Sequence, residues 1–177
     1  MERILKQGIL DGDGRSFKPP IVRAGRKEAI SSAVLGVSMA QKLQQLTSSV
    51  GWKGEDMEVR AKQTILDQAV IVGATLAVSG SDLFVNNKTH FDAVIIDEAT
   101  QAVEPSTLVP LVHNPKCRQV FLVGDPQQLP ATVISKVAAH KNFDQSLFRC
   151  ARRGAERGQP LRRARTDTRS DIPRPPG

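Results

Sequence analysis

The sequence predicts an α/β fold, a parallel sheet flanked by helices, followed by a disordered Arg/Pro-rich tail. Three observations point there. Short apolar runs, Val70-Ile71-Val72, Ala93-Val94-Ile95-Ile96 and Val120-Phe121-Leu122-Val123, alternate with stretches of helical periodicity. Runs of that kind suit strands of a parallel sheet buried on both faces. Two of them lead straight into acid-bearing loops, Asp97-Glu98 and Gly124-Asp125. In open parallel sheets, function gathers at the carboxyl ends of the strands.

Taken in order, the chain opens with a short helical pattern around Ile4, Leu5 and Ile9. A turn cluster, Asp11-Gly12-Asp13-Gly14, and the pair Pro19-Pro20 follow. Ile21-Val22-Arg23 is a short strand candidate. Residues 27–50 read as helix, with Ala29, Ile30, Ala33, Val34 and Val37 at helical spacing, and Glu55 to about Gln68 reads as a second. Val70–Val72 is a buried strand ended by Gly73, and Ser79–Thr89 is loop-like. After the strand at 93–96, residues 103–112 read as helix despite Pro105 and Pro110. The strand at 120–123 ends at a glycine, and helical segments are expected near 132–139 and 144–152.

Composition bounds the function. The 177 residues suffice for one domain, and 40% hydrophobic residues suffice for its core. No apolar run reaches membrane-spanning length, and the opening Met-Glu-Arg-Ile-Leu-Lys is not a secretory signal. Cys117 and Cys150 do not form a metal-type pair, so a reducing compartment is expected. The net charge of +7 is uneven: residues 151–177 hold eight Arg and three acids, leaving +2 for residues 1–150. Overall basicity is therefore a poor argument for nucleic-acid binding by the folded part. The tail lacks hydrophobic periodicity and reads as disordered, and an altered reading frame would give a similar Arg-only stretch.

The chemistry-bearing residues sit at the two acid-tipped strand ends. Mg²⁺ prefers oxygen ligands and keeps several waters, so Asp97 suits it, directly or through water. Glu98 beside it suits a base that orients and deprotonates a water attacking a terminal phosphate. An acidic loop after a strand is common, and the pair alone does not establish function. The second signal, Gly124-Asp125-Pro126-Gln127-Gln128-Leu129-Pro130, strengthens it. Gly124 permits a tight turn, and Asp125 adds a carboxylate at the same edge. Gln128 offers an amide able to sense a phosphate oxygen or the attacking water. A third segment, Gly73-Ala74-Thr75-Leu76-Ala77-Val78-Ser79-Gly80-Ser81, carries hydroxyls and backbone N–H groups suited to a sugar-phosphate backbone. Ser/Gly loops are widespread, so this signal is weak alone. Trp52 is a stacking platform or, more simply, a helix-end packing residue.

The segments IIDEATQAVEP and VFLVGDPQQLPATVIS resemble motifs II and III of superfamily 1 helicases, in the senataxin-like and nonsense-mediated-decay group. VGATLAVSGSDLF resembles the segment that precedes motif II there, and DGDGRSFKPPIVRAGR the stretch after motif Ia. The resemblance covers about residues 1–149. It implies a RecA-like, P-loop NTPase fold, hydrolysis of ATP with Mg²⁺, and movement on single-stranded RNA or DNA. By the same resemblance Asp97 coordinates Mg²⁺ and Glu98 is the catalytic base. Gln101 and Gly124 sit near the nucleotide, Asp125 and Gln128 couple the γ-phosphate to motion, and Thr75 and Ser79 lie close to the nucleic-acid path. Residues 29–67 fall where the group carries a helical insertion. Residues 1–150 then form a partial RecA-like domain and 151–177 a tail. A nuclear or cytoplasmic location, the nucleus first, and a part in RNA processing follow from resemblance alone.

There are departures. No G-x-x-x-x-G-K-[ST] occurs, so the loop that cradles phosphates is absent, and Met1 reads as a start inside the domain. The Q-Y-R-M-H-P type segment expected after Ser146-Leu147-Phe148 is also absent, and the group's pattern is lost from Arg149. Without the strand before that loop, the sheet is expected to show an exposed edge or a gap. Three readings stay open: a helicase fragment that needs the rest of its motor, a non-catalytic nucleic-acid-binding fragment, and a truncated product.

Overall fold

The structure is a computed structural model that describes residues 1–26, 30–50, 54–86, 89–125, 127 and 129–156. Trp52 and Gln128 lie outside the described residues.

Helix α1 (Glu2–Gln7) leads into a hairpin of β1 (Ile9–Leu10) and β2 (Ser16–Phe17). The Asp11 carboxylate closes its turn, accepting from the backbone N–H groups of Asp13 at 3.0 Å and Arg15 at 2.7 Å. β3 (Ile21–Arg23) pairs in parallel with β4 (Ile71–Gly73), with Val22 opposite Val72. Parallel pairing needs a crossover, here α2 (Met39–Val50) and α3 (Glu55–Asp67).

The helix expected over 27–50 is broken. Ser32–Val37 is a 3-10 turn, and Ser38 is extended, bridged to Arg23, before α2 begins. Ser38 is buried and its Oγ accepts from the Gln41 N–H at 3.2 Å, so it caps α2. Its dual role, bridge on one side and cap on the other, stops the helix there. The 79–89 segment is not all loop either: a 3-10 turn at Val78–Gly80 precedes α4 (Asp82–Val85). Ser81 starts α4, its carbonyl accepting from Phe84 and Val85.

β5 (Ala93–Ile96) pairs in parallel with β6 (Gln119–Leu122) across α5 (Glu104–Val112). Asn114 is buried and fixes the approach to β5. Its Nδ2 donates to the Phe91 carbonyl at 2.8 Å and its Oδ1 accepts from the Phe91 N–H at 3.1 Å. Helices α6 (Lys136–His140) and α7 (Leu147–Glu156) follow. α7 runs through residues 151–156, which the sequence assigned to the tail. Its apolar positions, Leu147, Ala151 and Gly154, recur at helical spacing and are half-buried.

Instead of one sheet covered on both faces, the described strands form three two-stranded sheets. The core lies in the first half, where Val22, Met39, Ile65 and Leu66 pack with Leu43, Leu46, Ala69, Val72 and Leu83. The β5–β6 pair is more open. Strand alternation sends Val94 and Ile96 inward, and Ile96 is buried. Ile95 on the other face is 70% exposed, as Phe121 opposite it is exposed. A groove of about 890 Å³, lined by Ile71 and Val72 on one side and Val94 and Ile96 on the other, separates the two parallel pairs. No helix among the described residues is long and apolar enough to cross a membrane.

Candidate functional site

The site grows from the register of β5 and β6. Ile96 stands opposite Leu122, so Asp97-Glu98 and Val123-Gly124-Asp125 leave the pair side by side. Two backbone hydrogen bonds tie the exits together: Val123 N–H to the Ile96 carbonyl and Ala99 N–H to the Val123 carbonyl, both at 2.8 Å.

Between those bonds the chain turns sharply. Glu98 sits in the left-handed region at φ 53°, ψ 37° and leads into a 3-10 turn at Ala99–Gln101. A non-glycine residue there carries strain of about 1–2 kcal/mol. Local hydrogen bonds hold it. The Glu98 N–H donates to Asp97 Oδ1 at 3.1 Å, the Gln101 N–H to the Glu98 carbonyl at 2.9 Å, and Gln101 Nε2 to Glu98 Oε2 at 3.3 Å. Asp97 and Glu98 are both exposed, each with one carboxylate oxygen held in these local hydrogen bonds.

Gly124 is needed for a reason other than the tight turn the sequence suggested. Its φ is not in the left-handed range. A Cβ there would lie 3.1 Å from Thr100 Cγ2 and from the Thr100 backbone nitrogen, and 3.2 Å from that of Ala99. The glycine allows the two turns to touch. Thr100 itself is 8% exposed, and its Oγ1 is buried with no hydrogen-bond partner among the described residues. Sequence reasoning passed over Thr100, although it lies inside the segment already singled out; its burial depends on the second turn. Asp125 closes its own loop, accepting from the Gln127 N–H at 2.9 Å.

Thr75, Ser79 and Asp97 all line the groove. Their hydroxyls are engaged locally: Thr75 Oγ1 accepts from the Val78 N–H at 3.3 Å and Ser79 Oγ donates to the Leu76 carbonyl at 2.6 Å. Glu98, Gln101, Gly124 and Asp125 do not line that groove. The structure thus makes two groupings, the paired turns and the groove, with Asp97 at the junction.

Of Mg²⁺ and ATP, the residues present suit only the first. Asp97 is an exposed oxygen donor beside Glu98, which fits a hard cation that keeps waters and borrows ligands from a phosphate. No cluster of three or more His, Cys, Asp or Glu converges among the described residues. The triphosphate is different: no phosphate-cradling loop occurs in the 177 residues. The acid edge fits the cation; the chain's own residues do not cradle the phosphates.

A family model described as an AAA domain matches residues 40–136. The probable helicase MAGATAMA 3 of Arabidopsis thaliana is 43% identical over 94% of this chain, which covers 20% of that protein. A match of that extent runs past residue 149, further than the motifs suggested. Helicase sen1 of Schizosaccharomyces pombe is 47% identical over 61% of this chain and 6% of its own length. Probable helicase senataxin of Homo sapiens is 33% identical over 77% of this chain and 5% of its own length. The chain spans a fifth or less of these relatives. Its helices and parallel pairs fit a partial RecA-like α/β fold. The chain belongs to the AAA-domain family, within the senataxin-like group of superfamily 1 helicases.

Proposed function

We propose that this chain supplies the acid-bearing edge of an ATP-dependent RNA/DNA helicase motor. The observation that carries the reading is the stitched pair of turns, which sets Asp97-Glu98 beside Gly124-Asp125 at one sheet edge. Asp97 would hold Mg²⁺, which supplies charge neutralisation at the phosphates. Glu98 takes the proton of the attacking water; Gln101, bonded to Glu98, keeps its carboxylate in place and near the nucleotide. Gly124, Asp125 and Gln128 relay the state of the terminal phosphate to the rest of the motor. Thr75 and Ser79 face single-stranded RNA or DNA in the groove. Residues 29–67 act as a helical insertion touching nucleic acid, and work in RNA processing, in the nucleus ahead of the cytoplasm, fits the same reading.

The remaining partner is the rest of a helicase motor, which brings the phosphate loop and a second RecA-like domain. A second reading, a non-catalytic nucleic-acid-binding fragment, is favoured by the lack of G-x-x-x-x-G-K-[ST] in these residues. ATP turnover with Mg²⁺ separates the two. The 177-residue chain is compared with a form extended upstream to include a phosphate loop, each with and without Glu98→Gln. The helicase reading expects turnover only in the extended form, reduced by about 10²–10⁴-fold in Glu98→Gln. No turnover in the extended form leaves the binding reading. Turnover by the shorter form refutes the need for the loop.

A further inference from the structure

β4 and β5 each have one edge in use. The Ile71 N–H donates to the Pro20 carbonyl at 3.1 Å and the Ala24 N–H to the Gly73 carbonyl at 2.8 Å, so Ile71 and Gly73 turn their backbone groups toward β3. In the other pair the Gln119 N–H donates to the Asp92 carbonyl at 3.1 Å and the Val123 N–H to the Ile96 carbonyl at 2.8 Å, so Asp92 and Ile96 turn theirs toward β6. The N–H and C=O groups of successive strand residues point to opposite edges. Val72 therefore presents its backbone groups away from β3, and Ala93 and Ile95 present theirs away from β6. Among the described residues no strand pairs with either of these edges.

Both edges open on the same groove. A groove lying against one face of a strand touches alternate residues. This one is lined by the unbroken runs 69–72 and 93–97, so strand edges form its walls. The amino ends of the two strands are tied together: Thr89 Oγ1 donates to the Asp67 carboxylate and accepts from Gln63 Nε2 at 3.0 Å. Asp67 and Thr89 each stand four residues ahead of their strand, so β4 and β5 run side by side in one direction. The carboxylates of the lining are Asp67 and Asp92 at the amino end and Asp97 at the carboxyl end, and no Lys or Arg is among the described residues that line it.

We propose that this groove is a strand-acceptor site, which takes an extended apolar peptide with basic ends as an inserted strand parallel to β4 and β5. Two facing edges need donors and acceptors along their length, and a peptide backbone brings both. The apolar walls select an apolar strand, and the aspartates at the two ends select Lys or Arg flanks. A nucleic-acid strand would set phosphates against three aspartates. A small apolar ligand would fill the space and leave both edges unpaired. Thr75 and Ser79 lie past the end of β4 at Gly73, so the inserted strand stops short of them. The site goes beyond the helicase reading in its partner, a peptide, and requires no ATP.

The test is fluorescence anisotropy of the full 177-residue chain with a labelled, end-capped peptide Lys-Val-Ile-Val-Thr-Val-Lys, followed by amide exchange of the complex. N-methylation of the central Val should weaken binding about tenfold, because that amide faces a wall whichever edge it meets. Exchanging both Lys for Glu should weaken it about tenfold as well. The amides of Val72, Ala93 and Ile95 should gain about tenfold in protection on binding. Ile95→Pro removes one groove-side N–H and spares the β5–β6 ladder, so it should weaken binding about tenfold; should that variant not fold, the N-methylated peptide carries the same test. Equal affinity of the N-methylated peptide overturns the proposal, as does a complex in which those three amides gain no protection. Displacement of the peptide by oligothymidylate overturns it in favour of a nucleic-acid path. Protection of the same amides by self-association without peptide overturns it in favour of a second copy. None of these outcomes bears on the Asp97-Glu98 and Gly124-Asp125 turns, so the helicase reading stands or falls separately.

Discussion

Gly124→Ala tests whether the two acid-bearing turns are held by direct contact. The added methyl would sit 3.1–3.2 Å from Thr100 Cγ2 and the backbone nitrogens of Thr100 and Ala99. The Thr100 methyl can yield by a few tenths of an ångström. The Ala99 nitrogen cannot yield alone, because its N–H is bonded to the Val123 carbonyl at 2.8 Å. Relief has to lengthen that bond or spread β6 from β5. Overpacking of one methyl costs about 1–3 kcal/mol, and the hydrogen bond is worth about 0.5–1.5 kcal/mol net. The expected loss is about 2 kcal/mol, a fall of about 1 M in urea midpoint for a slope near 2 kcal/mol/M. Hydrogen exchange adds a local readout, since protection of the Ala99 amide should drop with the midpoint. A variant whose midpoint is unmoved and whose Ala99 amide is as protected as before would refute the contact.

Three further outcomes follow from the same geometry. Thr100→Val removes a buried hydroxyl that has no partner among the described residues while keeping the shape, so the chain should gain about 1 kcal/mol in urea unfolding; a loss of that size would mean that the hydroxyl is bonded. Glu98→Gly relieves the left-handed backbone and should be at least as stable as the parent, by about 0.5–1 kcal/mol, with destabilisation counting against the strain. Asn114→Ala leaves both backbone groups of Phe91 unpaired and should cost about 2–3 kcal/mol, with faster amide exchange at Phe91; an unchanged exchange rate would refute the clamp.

Much of the site was legible from one-dimensional pattern. β5 and β6 fall within a residue of their apolar runs, and α3 at Glu55–Asp67 matches its periodicity. Asp97, Glu98, Gly124 and Asp125 follow directly from where the strands end. Other features were read too simply. Gly124 looked like a turn residue and proved to be a close-approach residue, because the atoms it avoids belong to a turn more than twenty positions earlier. The helix expected from residue 27 to 50 yielded at Ser38, whose bridge to Arg23 no local periodicity encodes.

Residue types along the chain determined the apolar strands at 71–73, 93–96 and 119–122, the helix at Glu55–Asp67, and that acids stand at two carboxyl ends. These are local properties, set by side-chain spacing against a period of two or 3.6. Tertiary structure alone decided that Ile95 faces outward and that Thr100 is buried against Gly124, whereas the separation of the strand pairs agrees with the gap expected from the missing strand. Each of these depends on which distant segment covers which face, and burial is a property of the partner as much as of the residue.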